Sequence, residues 1–317
     1  MRFVSFDTGG SIRPGLILNQ DAIIDLPIAL GNAAQHLAFQ YNPSAHKTLH
    51  DLIQLGDPFL RACQFILSGE GDEFRADAIV HASDVTLVAP IPRTAKNVFC
   101  VGKNYAEHVA EGNRAQNIDA ALPENPIFFT KPPSAIIGPG ASIRVDGQFS
   151  DRIDYEVELA VIIGRTGRDI AAEQAHEYIF GYTIVNDVSA RDVQRRHGGQ
   201  FFKGKSFDTS CPMGPHIVTA DEVPDAHQLA IQLWVNGKPR QNGSTRDMIF
   251  NIPTLIESLS QGLTLEPGDV IATGTPSGVG YAMDPPQFLR DGDEVRCSIE
   301  HVGELVNFVV DETSAPN

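Results

Sequence analysis

The chain has 317 residues, enough for one large domain or a large domain with a smaller companion. Its composition, 42% hydrophobic, 8% aromatic and 20% charged, supplies a substantial core and excludes a disordered chain. With 24 Lys and Arg against 40 Asp and Glu, the net charge of −16 repels phosphate backbones and anionic lipid, which argues against nucleic-acid and membrane partners.

The first residues, Met1 to Asp7, lack the long apolar region of a signal peptide. The longest apolar runs, such as Leu159 to Ile163, fall far short of the ~18 residues that cross a bilayer. A cytoplasmic address is therefore expected. Short strands are predicted at Arg2–Phe6, Leu16–Leu18 and Ala22–Asp25, and helices over Ala29–Phe39 and Leu49–Leu67. His36, His46 and His50 fall among ordinary residues and read as surface or filler positions. At Val88-Ala89-Pro90-Ile91-Pro92-Arg93 two prolines impose an extended crossing. The boundary between a small N-terminal α/β domain, 1–90, and a larger domain, 91–317, is placed there.

Beyond it, apolar strands alternate with Gly/Pro turns at Ile127–Thr130, Asp154–Ile163, Tyr182–Val185, Gln232–Val235 and Val270–Thr273. The fold class this implies is α+β and β-rich, with few long helices. Asn236-Gly237 predicts a type I′ hairpin, since both residues tolerate positive φ. The polar end, Asp311 to Asn317, is expected to fray. Cys63, Cys100, Cys211 and Cys297 lie far apart without a C-x-x-C pair, and read as reduced, buried thiols rather than as a disulfide or zinc framework.

Gly199-Gln200-Phe201-Phe202-Lys203-Gly204-Lys205-Ser206 fits the phosphate-loop pattern letter for letter. Such a loop needs a buried strand before it and a helix after it, so that helical amides face the phosphates. The stretch before Gly199 is polar, and Pro212 and Pro215 cut short any helix after Ser206, so nucleotide binding is not expected. Thr273-Gly274-Thr275-Pro276-Ser277-Gly278 is likewise no dinucleotide fingerprint, because its glycine spacing is wrong.

Chemistry concentrates elsewhere. In Asp154 to Ile163 the period-two alternation puts Glu156 and Glu158 on one face of an otherwise apolar strand. Two carboxylates there repel each other and are costly to desolvate, so either the face is solvated at a sheet edge or a hard divalent cation compensates them. Asp187, ending the strand Tyr182–Val185, can complete a three-acid set. Asp192 reads as a helix-surface or capping acid. Arg191, Arg195, Arg196, Lys203 and Lys205 crowd into one stretch, either as a solvated basic face or as holders of an anionic substrate. His108 and Glu111, at i and i+3 of a predicted helix, form either an acid/base dyad or an exposed polar face.

Together these segments resemble the fumarylacetoacetate hydrolase family from about Asn97 to Val310. The motifs occur in order: Gly102-Lys103-Asn104-Tyr105 with His108 and Glu111; Phe129-Thr130-Lys131-Pro132; Glu156-Val157-Glu158; Asn186-Asp187 through Asp192 with Gln194; Gly204-Lys205-Ser206-Phe207-Asp208; and Gly274-Thr275-Pro276-Ser277-Gly278. The resemblance implies a mixed β-sandwich roll catalytic domain, a homodimer, and Mg²⁺ held by Glu156, Glu158 and Asp187, with Mn²⁺ or Ca²⁺ as alternatives. It implies His108 with Glu111 as the water-activating dyad and Lys205 as a further catalytic cation. Gln194, Thr275, Arg191 and Lys131 are implied as substrate contacts. An additional aspartate ligand of the more distant branch is missing from Val101-Gly102-Lys103-Asn104, which groups the chain with three-ligand members. The activity implied is metal-dependent hydrolysis of a carbon–carbon bond in a small anionic 2,4-dioxo acid, an acylpyruvate or fumarylpyruvate, through a metal-bound enolate, as in aromatic catabolism. Oxaloacetate decarboxylation, hydroxyhepta-dienedioate isomerisation and sugar-acid dehydration are alternatives on the same site, and a non-enzymatic metal-binding protein is the remote one. The stretch Asn113 to Pro126 is expected to be a mobile segment beside the site that sets substrate choice.

Overall fold

Runs of Val, Leu and Ile between turn residues build two large sheets, beside a two-stranded ribbon of Ile153–Asp154 and Ser189–Ala190. The computed structural model describes residues 1–34, 36, 37 and 40–312. The larger sheet has twelve strands among those residues, and its strand Val157–Ile163 is buried at every position, as a continuous apolar run requires when both faces are covered. Antiparallel to it on one side lies Ile179–Asn186, with Leu159 opposite Ile184 and Val157 opposite Asn186. On its other side lies Val270–Ala272, which pairs in parallel with Val98–Gly102, and Ile127–Lys131 closes that edge. The smaller sheet runs Lys238–Ser244, Ala230–Val235, Glu294–Ile299, Gly303–Asp311, Ser142–Val145. Leu159, Val161, Ile231, Leu233, Cys297 and Ile299 meet between the two sheets in one core, which gives the expected β-rich α+β sandwich. Asn236 and Gly237 have φ of 52° and 71°, the left-handed pair that a type I′ turn demands.

The N-terminal strands extend the larger sheet instead of forming one of their own. Arg2 and Phe3 of Arg2–Asp7 pair with Val218 and Ile217 of Cys211–Thr219. Phe3, Leu16 and Phe59 then share a core with Ile162, Val185 and Ile217, so packing is continuous across the proline-marked crossing at residues 88–93. Part of that crossing is itself a strand: Val88 ends Thr86–Val88, which pairs with Arg2–Asp7.

Two helix expectations need correction. The first helix is Leu26–Ala33, capped by Asp25, and positions 35, 38 and 39 of the expected Ala29–Phe39 stretch lie outside the described residues. The expected Leu49–Leu67 helix is two helices, Leu49–Ile53 and Asp57–Leu67, broken at Gly56, whose φ of 61° ends a helical path, with Pro58 starting the next. At the other end, residues 313–317 of the expected frayed tail lie outside the described residues. All four cysteines are free and buried. No helix among the described residues is long and apolar enough to cross a membrane.

His216, buried on Cys211–Thr219, gives the fold an acid sensitivity. Burial, reinforced by Arg2, pushes its imidazolium down from an ordinary 6.5 to about 4. Between those values the unfolded chain binds a proton that the folded chain refuses, so stability falls as pH falls across that window, by on the order of 2–3 kcal/mol. Thermal unfolding should show His216→Gln losing less Tm than wild type between pH 6.5 and 4.5. Equal slopes would remove His216 as the cause.

Candidate metal and substrate site

The acid site forms where two neighbouring strands meet. Glu156 and Glu158 bracket Val157 at the start of the central strand, and Asp187 directly follows Ile179–Asn186. The Asp187 N–H donates to the Glu156 carbonyl at 2.8 Å, which fixes one acid beside the others. One carboxylate oxygen from each of the three lies within 4.8 Å of the rest, and the residues are 4%, 1% and 0% exposed. The solvated-edge reading is thereby excluded.

Their charges are unequally compensated. Burial drives the Glu156 carboxyl upward, but Lys205, Arg191 and His108 outweigh it and hold the group well below the usual carboxylate range. For Glu158 the balance goes the other way: burial, Asp187 and Glu156 push it well above that range. Its carboxylate accepts the Gly274 N–H at 2.8 Å and has no ion pair among the described residues. An all-oxygen set of buried acids with one uncompensated member fits a hard divalent cation, with Glu156, Glu158 and Asp187 as the groups that would hold it.

Lys205 ends the short helix Phe202–Lys205 and reaches into the acids, with Nζ at 2.8 Å from Glu156, 2.6 Å from Asp187 and 2.7 Å from Ser189 Oγ. The phosphate-loop look-alike therefore follows a helix, Arg191–Arg196, rather than a strand, and delivers its lysine to carboxylates. Lys131, expected to touch substrate, does not line the cleft. It is fully buried at the end of Ile127–Lys131, where Nζ donates to Asp187 at 2.6 Å, to the Val188 carbonyl at 3.2 Å and to the Lys205 carbonyl. Strand pairing points it beneath Asp187, away from the cleft, where it orients the acid.

Arg191 also works inward. Nε donates to Asp154 at 2.9 Å, Nη2 lies 2.6 Å from Glu156, and the guanidinium stacks 4.4 Å from the centre of the Tyr281 ring. The Thr275 hydroxyl, expected to bind a substrate carboxylate, donates its proton to the Val157 carbonyl at 2.8 Å and accepts from Gln241 at 2.7 Å. Its hydroxyl proton is committed to the protein, although Thr275 does line the cleft. Gln194 lines the cleft from Arg191–Arg196.

Ala106–Gln116 carries the dyad as a helix, so the three-residue spacing brings His108 Nδ1 to 2.8 Å from Glu111 Oε1. Glu111 is buried and pinned from behind by the Gly278 N–H at 2.8 Å, which excludes the exposed-face reading. Its position leaves Nε2 as the free nitrogen of His108. Of the segment expected to be mobile, Asn113 to Gln116 instead complete this helix, and Asn113, Gln116 and Ile118 line the cleft.

Sequence reasoning missed the backbone role of the loop from Gly274 to Gly280, whose amides donate from Gly274 to Glu158, from Gly278 and Val279 to Glu111 and, from Gly280 at 2.8 Å, to Asp154. Gly278 has φ of 110° and no room for a side chain: a Cβ would fall 2.1 Å from the Arg240 carbonyl oxygen. The spacing that ruled out a dinucleotide loop was the signal for this one. Asp154, also missed, continues the period-two series of Glu156 and Glu158 backwards.

Glu156, Glu158, His108, Arg191, Gln194 and Lys205 all border one cleft of about 240 Å³, with Asp187 and Glu111 buried directly behind Glu158 and His108. Against known proteins, residues 97–310 match the family described as fumarylacetoacetate (FAA) hydrolase, C-terminal. The chain is 41% identical over 309 residues to oxaloacetate tautomerase YisK of Bacillus subtilis, covering 97% of this chain and 99% of that protein. To the human mitochondrial oxaloacetate tautomerase FAHD2A it is 43% identical over 271 residues, covering 85% and 82%. Among solved structures, fumarylacetoacetate hydrolase EaFAH from psychrophilic Exiguobacterium antarcticum superposes with a TM-score of 0.78 at 39% identity, covering 98% of this chain and 100% of that one. Maleylpyruvate hydrolase from Sphingobium.sp SYK-6 gives 0.73 at 32%, covering 98% and 100%.

Proposed function

This chain belongs to the fumarylacetoacetate hydrolase family, and from that premise we propose that it is a divalent-metal-dependent tautomerase that interconverts the keto and enol forms of a dicarboxylic 2-oxo acid, oxaloacetate first among them. The observation that carries the reading is His108, held by Glu111, opening on the same cleft as Glu156 and Glu158, the two acids that cluster with Asp187. The long relatives named as oxaloacetate tautomerases support it and move the emphasis away from the carbon–carbon hydrolase expected from sequence.

A divalent ion held by Glu156, Glu158 and Asp187 would polarise the 2-oxo group. The remaining steps belong to the protein. With Nδ1 donating to Glu111, His108 Nε2 accepts the C3 proton of the keto form, and Glu111 stabilises the imidazolium. The electron pair of the broken C–H bond becomes the C2–C3 double bond, and the proton is delivered to the O2 oxygen to complete the enol. Lys205 offsets negative charge developing beside Glu156. Enolisation needs one base and a polarised carbonyl, without attack by water.

Hydrolysis of a 2,4-dioxo acid is the second reading, because the same dyad can deprotonate water; the likeness to the maleylpyruvate hydrolase structure favours it. Turnover with Mg²⁺ separates the two. Loss of enol absorbance from oxaloacetate above the buffer-and-metal rate, with C3 deuterium exchange and no CO₂ released, supports the tautomerase. Pyruvate plus acetate from acetylpyruvate, with oxaloacetate untouched, would replace it with the hydrolase. CO₂ and pyruvate from oxaloacetate would replace both with a decarboxylase.

A further inference from the structure

Beside the cleft lies a second cavity, of about 380 Å³, that the chemistry above does not use. Arg191, Arg195 and Tyr281 border both spaces. The remaining charged walls of the second are Arg152, Arg290 and one carboxylate, Asp151. Four guanidiniums thus face one space in a chain whose net charge is −16.

Like charges crowded around one space repel, here with water reaching Arg152, Arg195 and Arg290, which are exposed. Arg191 is matched by Asp154 and Glu156. Arg152, Arg195 and Arg290 have no buried carboxylate partner among the described residues. Arg290 donates to the Asp151 backbone carbonyl at 2.9 Å, and Arg152 lies 3.7 Å from the largely exposed Asp151 carboxylate. Arg195 meets the Tyr281 ring at 5.9 Å and forms no ion pair among the described residues. The buried acid trio asks for a cation; this cluster is solvated, and its crowding of positive charge favours an anion. The border that the two spaces share is built into the fold. The Tyr281 N–H donates to Asp154 at 3.0 Å, its ring packs on Arg191, and Gly112 leaves room for its hydroxyl, since a Cβ there would fall 2.7 Å from that oxygen.

We propose that the second cavity is a carboxylate-binding annex of the cleft, which takes the distal carboxylate of a dicarboxylic 2-oxo acid and, without substrate, free dicarboxylates. Arg195 and Arg290 are then the residues that select dicarboxylic over monocarboxylic substrates. The substrate half rests on the tautomerase reading above; the binding half does not.

Succinate binding, measured by calorimetry on the full chain at low salt with EDTA, reads the annex without turnover or metal. Wild type binds succinate, the Arg195→Ala/Arg290→Ala double variant binds it at least about ten-fold more weakly, as loss of charge-assisted hydrogen bonds dictates, and the remote Lys238→Ala matches wild type. Equal binding by wild type and the double variant, or binding by neither, overturns the annex, whatever the enzyme's reaction. With Mg²⁺ added, the double variant should raise KM for oxaloacetate about ten-fold with kcat retained, and move KM for pyruvate C3 deuterium exchange less than about two-fold. Weakened succinate binding with an unchanged oxaloacetate KM would overturn the substrate half and leave a site for free carboxylates.

Discussion

Glu158→Ala is expected to abolish divalent-metal binding and to lower turnover by roughly three powers of ten, the equivalent of the several kcal/mol that a metal supplies to a developing oxyanion. Glu158 is the sharper choice among the three acids because no cation forms an ion pair with it among the described residues. Removing Asp187 would strand Lys131 as a buried unpaired cation, and removing Glu156 would take one of the two carboxylates from each of Lys205 and Arg191, so the chain would lose stability for a reason unrelated to metal. Removing Glu158 strands no cation and relieves repulsion from Asp187 and Glu156, the same repulsion that lifts its carboxyl above the usual range. The metal-free variant should therefore unfold at or above the Tm of metal-free wild type. Wild type should gain Tm as Mg²⁺ or Mn²⁺ is added, by mass action on the folded state, and the variant should not. A Glu158→Ala protein that still gains Tm with metal, or still turns over at the wild-type rate, would remove the three-acid site from the reaction.

What could be read from the sequence follows from which interactions are local. Glu156 and Glu158 announce themselves by period two, His108 and Glu111 by a three-residue helical spacing, and Asn236-Gly237 by the φ values it tolerates. Each is decided within a few residues. Lys131 was misread because its neighbours in sequence do not decide which way it points. Pairing of Ile127–Lys131 with Val98–Gly102 does, and it places the ammonium under Asp187, 56 residues away. The joining of Arg2–Asp7 to Cys211–Thr219 spans more than two hundred residues and leaves no periodic trace. Gly56 was legible and overlooked, because the apolar helical period continues through it while the backbone does not. The loop from Gly274 to Gly280 works through amides, which carry no letter of their own; only its glycines record that backbone must approach carboxylates closely.

His108→Ala is the complementary case: proton transfer should fall by about 10²–10⁴-fold while metal binding survives. The imidazole makes no hydrogen bond to Glu156, Glu158 or Asp187 among the described residues, so its loss leaves the acids and their lysines in place. The Tm gain with Mg²⁺ should match wild type. Glu111→Gln tests the orienting half of the pair separately. The amide can still receive the Gly278 N–H but no longer offsets an imidazolium, so kcat should drop by less than in His108→Ala while KM holds. The order of the two effects distinguishes a working dyad from a helix staple. If Glu111 served only to tie the helix to the loop from Gly274 to Gly280, Glu111→Gln would lower Tm and leave the kcat of the folded fraction untouched. A His108→Ala protein that tautomerises oxaloacetate at the wild-type rate would move the base elsewhere in the cleft. Because the acid site is intact in that variant, such a result would leave the metal assignment standing and remove the dyad alone.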